Sequence, residues 1–340
     1  MDFSRFIQKD SLEGVLPDQP QIGFSIHESI VHFNNSFMQS GSKLLGDFIQ
    51  EHAPTRKWIL SSDYAFYDTK KFSDAVTFSL FPHWAPFEEM SSHIDSMAPS
   101  DIKNVGSVND SFISFLREGP VFSVTLILDR ERRMFSDEKL YHLARIDSQV
   151  GMLEHWCQST PKGKDRYQNT IKQLKKVKEL VGSKSLNLRL FRDIEIVGSL
   201  AAYLLAEISV KANPEKIAWL SDRDSMLNFK SKVIGDYMFD QVSYLYHTLC
   251  SNSEVDPSGR LLFVKPEASG ELVYDSFIRV PDYIAGTMAD YDFEEKESSH
   301  VKFERVRDGV FSEERRNISY RLFFHPDMKA HRLTWGLAEN

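Results

Sequence analysis

At 340 residues, with 41% hydrophobic and 26% charged side chains, the chain has the composition of a globular protein and length enough for one large core or two ordinary ones. A formal charge of −8 weighs against indiscriminate nucleic-acid binding, and no apolar run approaches the roughly 18–20 residues that a bilayer span needs. Two cysteines, Cys157 and Cys250, exclude a disulfide framework or a cysteine zinc site.

The opening Met1-Asp2-Phe3-Ser4-Arg5-Phe6 has no basic or apolar leader region, so no signal peptide is expected, and a cytoplasmic setting with no membrane partner fits best. Gly14, Pro17, Pro20 and Gly23 break a polar lead-in, and a helix is expected over residues 30–50. The aromatic and aliphatic run from Lys57 through Asp63 to Phe66 reads as a strand. A polar turn and a second strand over 75–82 complete an antiparallel hairpin. Residues 83–119, rich in Ser, Pro, Met and Asp, read as an insertion with short helices. The β-branched run 121–128 is a third strand, followed by a helix to about residue 158.

Residues 162–184 hold Lys162, Lys164, Arg166, Lys172, Lys175, Lys176, Lys178 and Lys184 against only Asp165 and Glu179. Such a helix is either a solvated face or a track for a phosphate backbone. Ile194, Val197, Leu200, Leu204 and Ile208 recur at helical spacing until Asn213-Pro214 ends the run. A short strand over 217–221 ends on Asp222-Arg223-Asp224, and a helix over 225–250 and a strand over 261–264 follow. Pro281 suits the first turn of a helix, which places Asp282 at its positive end, with Ile284, Ala285, Met288 and Ala289 forming an apolar stripe. After Tyr291 the chain turns highly charged, and a peripheral extension with a last apolar strand near residues 320–324 is expected.

Strands first and alternating α/β units afterwards predict an α/β mixed sheet, its first three strands antiparallel and the later ones parallel, flanked by helices. Asp63, Asp222 and Asp282 occupy comparable places in that order. Each has an ordinary structural reading: a surface carboxylate for Asp63, a helix cap for Asp222 or Asp224, a cap for Asp282. Brought together, they would repel unless they shared protons or bound cations, and an oxygen-only set suits Mg²⁺ or Mn²⁺. Two such ions can activate a water and stabilise a leaving oxygen in phosphodiester hydrolysis. The scattered histidines show no zinc spacing, and no Walker, Gly-x-Gly-x-x-Gly or Gly-x-Ser-x-Gly motif is present.

On these residues the chain resembles the ribonuclease H-like fold, in which a hairpin Asp, a fourth-strand Asp and a final-helix Asp share a metal site. More closely, it resembles an uncharacterised bacterial and phage branch with an Asp-Glu-Ser-Gly first strand and a closing Gln-x-Ala-Asp-x-x-Ala-Gly helix. Arg279 to Gly286 matches the closing motif at its Asp, Ala and Gly, and Trp219 to Arg223 resembles the middle motif. The Glu after Asp63 is absent, and Arg279 and Pro281 replace the motif's Gln and Ala. The resemblance covers residues 57–291 and implies three parts: a helical lead-in (1–55), a ribonuclease H-like domain with helical insertions at 83–119 and 137–185 (56–292), and a charged extension (293–340).

It further implies a metal-dependent nuclease cleaving RNA or DNA in mobile-element or defence biology. Asp63, Asp222 and Asp282 would hold Mg²⁺ or Mn²⁺, and Lys172, Lys175, Lys176, Arg223 and Arg279 would contact nucleic acid. Asp224, Asp290, Glu154 and Glu195 compete as a fourth carboxylate. The rival expectations are an inactive member of the fold that binds protein or nucleic acid, and an interaction protein that pairs with a partner chain or a second copy of itself.

Overall fold

The computed structural model describes residues 23–267 and 269–335. The lead-in through residue 22 lies outside the described residues. In chain order the helices are α1 (Glu28–Gln39), α2 (Gly41–Glu51), α3 (Phe87–Met97), α4 (Asp110–Glu118), α5 (Glu138–Ser159), α6 (Lys164–Gly182), α7 (Leu188–Ala212), α8 (Ser231–Ile234), α9 (Tyr237–Asn252), α10 (Asp275–Asp290) and α11 (Val301–Phe311). The strands are β1 (Lys57–Ala65), β2 (Asp74–Pro82), β3 (Phe122–Leu128), β4 (Lys216–Ser221), β5 (Leu261–Val264), β6 (Tyr291–Asp292), β7 (Glu297–Ser298), β8 (Asn317–Phe323) and β9 (Lys329–Leu333).

Seven strands form one mixed sheet in the order β5-β4-β1-β2-β3-β8-β9, while β6 and β7 pair separately. β1, β2 and β3 are antiparallel neighbours; β4 runs parallel to β1, β5 parallel to β4, and β8 parallel to β3. Side chains on a strand alternate between faces, so one strand feeds two cores. Trp58 and Leu60 enter the core built with α1, α2, α5, α7 and α9, whereas Ile59 enters the one built with α3, α4, α10 and α11. Burial on both faces explains why β2 and β3 read as nearly continuous apolar runs.

The face under α10 carries small polar residues instead. Register aligns Ser61 with Ser79 and Ser123, and Asp63 with Thr77 and Thr125. The Ser79–Ser123 and Thr77–Thr125 hydroxyls each hydrogen-bond across the strands at 2.9 Å, satisfying groups that burial would otherwise penalise. These short side chains let α10 lie close against β1 and β2.

The expected strands and the long helices stand where the sequence places them, within a few residues. Four features differ. The first expected helix is two, α1 and α2, broken at Ser40, and the helix expected over 225–250 is split by Gly235, whose φ is 67°. α10 begins at Asp275, so Pro281 lies inside it and Asp282 is not a first-turn cap. Finally, the charged segment after Tyr291 is not peripheral: β8 completes the sheet beside β3, with Ile318, Tyr320 and Leu322 fully buried.

The bend between α1 and α2 seats on β8 through Gly41. A Cβ there would stand 2.5 Å from the Tyr320 hydroxyl and 2.6 Å from Ile318 Cδ1. Gly41→Ala is therefore expected to destabilise the fold by about 1–3 kcal/mol. Chemical denaturation would show this as a lower midpoint with an unchanged slope.

Candidate functional site

Parallel pairing of β1 with β4 sets Ser62 opposite Ser221 and continues into a hydrogen bond from the Asp222 N–H to the Ser62 carbonyl at 3.0 Å. The next residues, Asp63 near the end of β1 and Asp222 just past β4, are thereby neighbours. On the opposite face Tyr64 locks the two strands together, its hydroxyl lying 2.8 Å from Ser62 Oγ and 2.7 Å from Ser221 Oγ. α10 then crosses the Asp63 face and delivers Asp282. All three carboxylates line one cleft of about 460 Å³.

Their electrostatics are those of crowded acids. Burial pushes the Asp63 carboxyl well above the usual range, and the Asp282 and Asp222 charges push it further. A proton shared between the two carboxyls raises Asp63 and holds Asp222 back. Asp222 is also raised by burial, though the Arg223 N–H and that shared proton hold it back. Asp282 is pushed up to about 7, chiefly by burial, with the Ile102 N–H opposing the shift and Asp101 adding to it. One oxygen of Asp282 accepts that N–H at 2.7 Å. Among the described residues, no three acidic, histidine or cysteine side chains are gathered into a ready-made metal ligand set. The donor chemistry fits a hard divalent cation nonetheless: three carboxylates converge on one polar cleft, and their mutual repulsion is what a cation would relieve.

None of the expected fourth carboxylates lines this cleft. Asp224 caps its own turn, accepting the Met226 N–H at 2.7 Å, which leaves Asp222 to face the cleft. Asp290 is buried with Lys71 at 2.8 Å and also accepts from Ser299. Glu195 pairs with Arg145 inside the helical layer, and Glu154 stands exposed, 4.0 Å from Lys175. The additional acids at the cleft are Asp68, Asp101 and Asp275.

The expected nucleic-acid contacts divide. Arg223 lines the cleft, with its guanidinium donating to the carbonyls of Glu267 (2.6 Å) and Gly270. Arg279 is turned away into contacts with Asp95, Asp275 and the Ala98 carbonyl. Lys172, Lys175 and Lys176 lie on the exposed side of α6 and line no part of the cleft. The cleft's other cations are Lys71 and Lys103, which the sequence does not single out.

Lys71 reaches the cleft because the β1–β2 turn is bolted down: the Phe72 and Ser73 N–H groups donate to the Ala289 carbonyl, and the Lys71 ammonium sits 3.7 Å from the Phe303 ring centre. Lys103 and Asp101, 3.2 Å apart, are carried by the insertion between β2 and β3. That segment is held by Lys302, which donates to the Ile102 and Val105 carbonyls at 2.8 and 2.9 Å, and by Tyr283, which donates to the Ser100 carbonyl. No motif marks these loop residues. Comparison with known proteins gives no matching family model, no matching curated protein and no matching solved structure.

Proposed function

We propose that the chain is a metal-dependent phosphodiesterase of ribonuclease H-like architecture, a nuclease acting on RNA or DNA. The observation that carries this reading is the meeting of Asp63, Asp222 and Asp282, far apart in sequence, in one cleft where each carboxyl is raised. The sheet supports it: an antiparallel β1-β2-β3 unit is extended from β1 by parallel β4 and β5, and the acids sit at the β1 and β4 ends and on the helix covering them.

In this reading Asp63, Asp222 and Asp282 hold Mg²⁺ or Mn²⁺. Such an ion would acidify a water and offset charge on a phosphoryl oxygen. The protein's own residues do the rest. Asp63 gives up the proton it shares with Asp222 when cation charge enters the cleft. Lys71, Lys103 and Arg223 attract and orient phosphate oxygens, and Phe66 and Phe303 give the cleft apolar lining.

A second reading, a non-catalytic binding protein on the same scaffold, is favoured by one specific contact: Asp282 already spends an oxygen on the Ile102 N–H. Incubating the protein with labelled single- and double-stranded RNA and DNA, with and without Mn²⁺, separates the two. The nuclease reading expects Mn²⁺-dependent cleavage that falls on the order of 10³-fold in Asp222→Asn. Equal, metal-independent background in both proteins would leave the binding reading.

A further inference from the structure

A second cavity, of about 520 Å³, opens between the end of α5, the start of α6 and the later half of α9. It lies on the other face of the sheet from α10 and the acidic cleft, since Met152, Trp156, Tyr167 and Tyr244 pack with the α5, α7 and α9 core, whereas Ile102 and Ile278 of the cleft belong to the α10 core. Its floor is Tyr244, stacked on Phe24 with ring centres 5.0 Å apart and fixed by a 2.9 Å contact between its hydroxyl and Thr170 Oγ1. Trp156 and Tyr167 form half-buried walls, their ring centres 5.7 Å apart and their planes inclined at 50°. Arg166 lies over the Tyr244 ring at 5.3 Å, and among the described residues it forms no ion pair with a carboxylate, although Asp240 feels its charge. Burial, with the nearby Arg166 charge, pushes His247 on the groove wall below the usual imidazole range.

Aromatic faces and the Arg166 guanidinium beside them complement a ligand with a planar aromatic ring and an anionic tail. We propose that this groove is a ligand site for a nucleotide unit, its base stacked among Trp156, Tyr167 and Tyr244 and its phosphate against Arg166. Base–aromatic stacking is tolerant of sequence, and the guanidinium supplies the salt-sensitive part of the affinity. The site is independent of the acidic cleft and stands whether or not that cleft is catalytic.

The test uses the full chain in EDTA, which silences any metal chemistry, and follows tryptophan emission on titration with AMP and, separately, with a short oligothymidylate. Saturable quenching is expected, and it should disappear in Trp156→Phe, which keeps a ring but removes the reporter. Arg166→Glu and Tyr167→Ala should each weaken binding by about tenfold or more, with unchanged thermal unfolding. Only Arg166→Glu should flatten the salt dependence. Asp63→Asn should bind as the unaltered protein does. Saturation by AMP identifies a free-nucleotide site; saturation by the oligonucleotide alone identifies a site for a strand. Absence of saturable quenching by both probes, or equal affinity in Arg166→Glu and Tyr167→Ala, overturns the proposal and returns the groove to a peptide or a second copy of the chain.

Discussion

Asp63→Asn is expected to make the fold more stable at pH 8 while removing Mn²⁺-dependent cleavage. Asp63 and Asp282 have folded-state pKa values raised above those of the unfolded chain, to about 7 for Asp282. A raised carboxyl contributes stability that is fully present below the unfolded value, roughly pH 4, and that is lost as pH rises through the folded value. At pH 8 the native state therefore carries the cost of burying crowded acids that the unfolded chain ionises freely. Asparagine removes one charge and keeps the shape. The gain should be on the order of 1–3 kcal/mol at pH 8, a rise of roughly 2–6 °C in melting temperature, shrinking toward zero near pH 4. Thermal unfolding across pH 4–8 reads it directly. A variant less stable than the parent at every pH would mean that Asp63 is an ordinary structural carboxylate.

The largest loss of stability is expected at Arg132. Its side chain is wholly buried and donates to Asp193 Oδ1 at 2.9 Å, Asp74 Oδ2 at 2.7 Å and the Tyr67 hydroxyl at 3.0 Å. Asp74 also accepts the Tyr67 N–H at 2.8 Å, so this one guanidinium ties β2 and α7 to the turn that carries Asp68 and Lys71 into the cleft. Arg132→Met strands two buried carboxylates, and breaking a buried pair in this way costs about 3–5 kcal/mol. Adding Asp74→Asn and Asp193→Asn should recover part of that loss, since the stranded charges are then gone. Denaturant midpoints of the single and combined variants check this; additive losses in the combined variant would show that Arg132 acts through packing alone.

The sheet was legible because its strands carry their own signals. The aromatic and β-branched runs of β1 to β5 are bounded by turn residues, and parallel register then makes the convergence of Asp63 and Asp222 a matter of strand arithmetic. α10 was harder. A proline normally opens a helix, yet Pro281 is tolerated inside this one, where packing into the core shared with α3, α4 and α11 outweighs the lost N–H bond. Asp282 was consequently found in the right cleft for the wrong local reason. β9, whose Lys329 to Leu333 run is polar and half-exposed, has too weak an alternation to be read. Lys71, Asp101 and Lys103 were illegible for a different cause: their placement depends on Lys302, Tyr283 and Ala289, each far away in sequence. The basic stretch on α6 shows the converse, since a conspicuous run of lysines lines no part of the acidic cleft.

The measurement that bears most directly on the shared acidic cleft is calorimetric titration of Mn²⁺ into the protein at pH 6 and pH 8, in parallel with Asp63→Asn and Asp282→Asn. Cooperating carboxylates predict saturable binding that tightens as pH rises and releases protons at pH 6, with at least about a tenfold loss of affinity in either variant. Binding that is absent, or that is indifferent to pH and to both substitutions, would contradict the cation-holding role of the three aspartates.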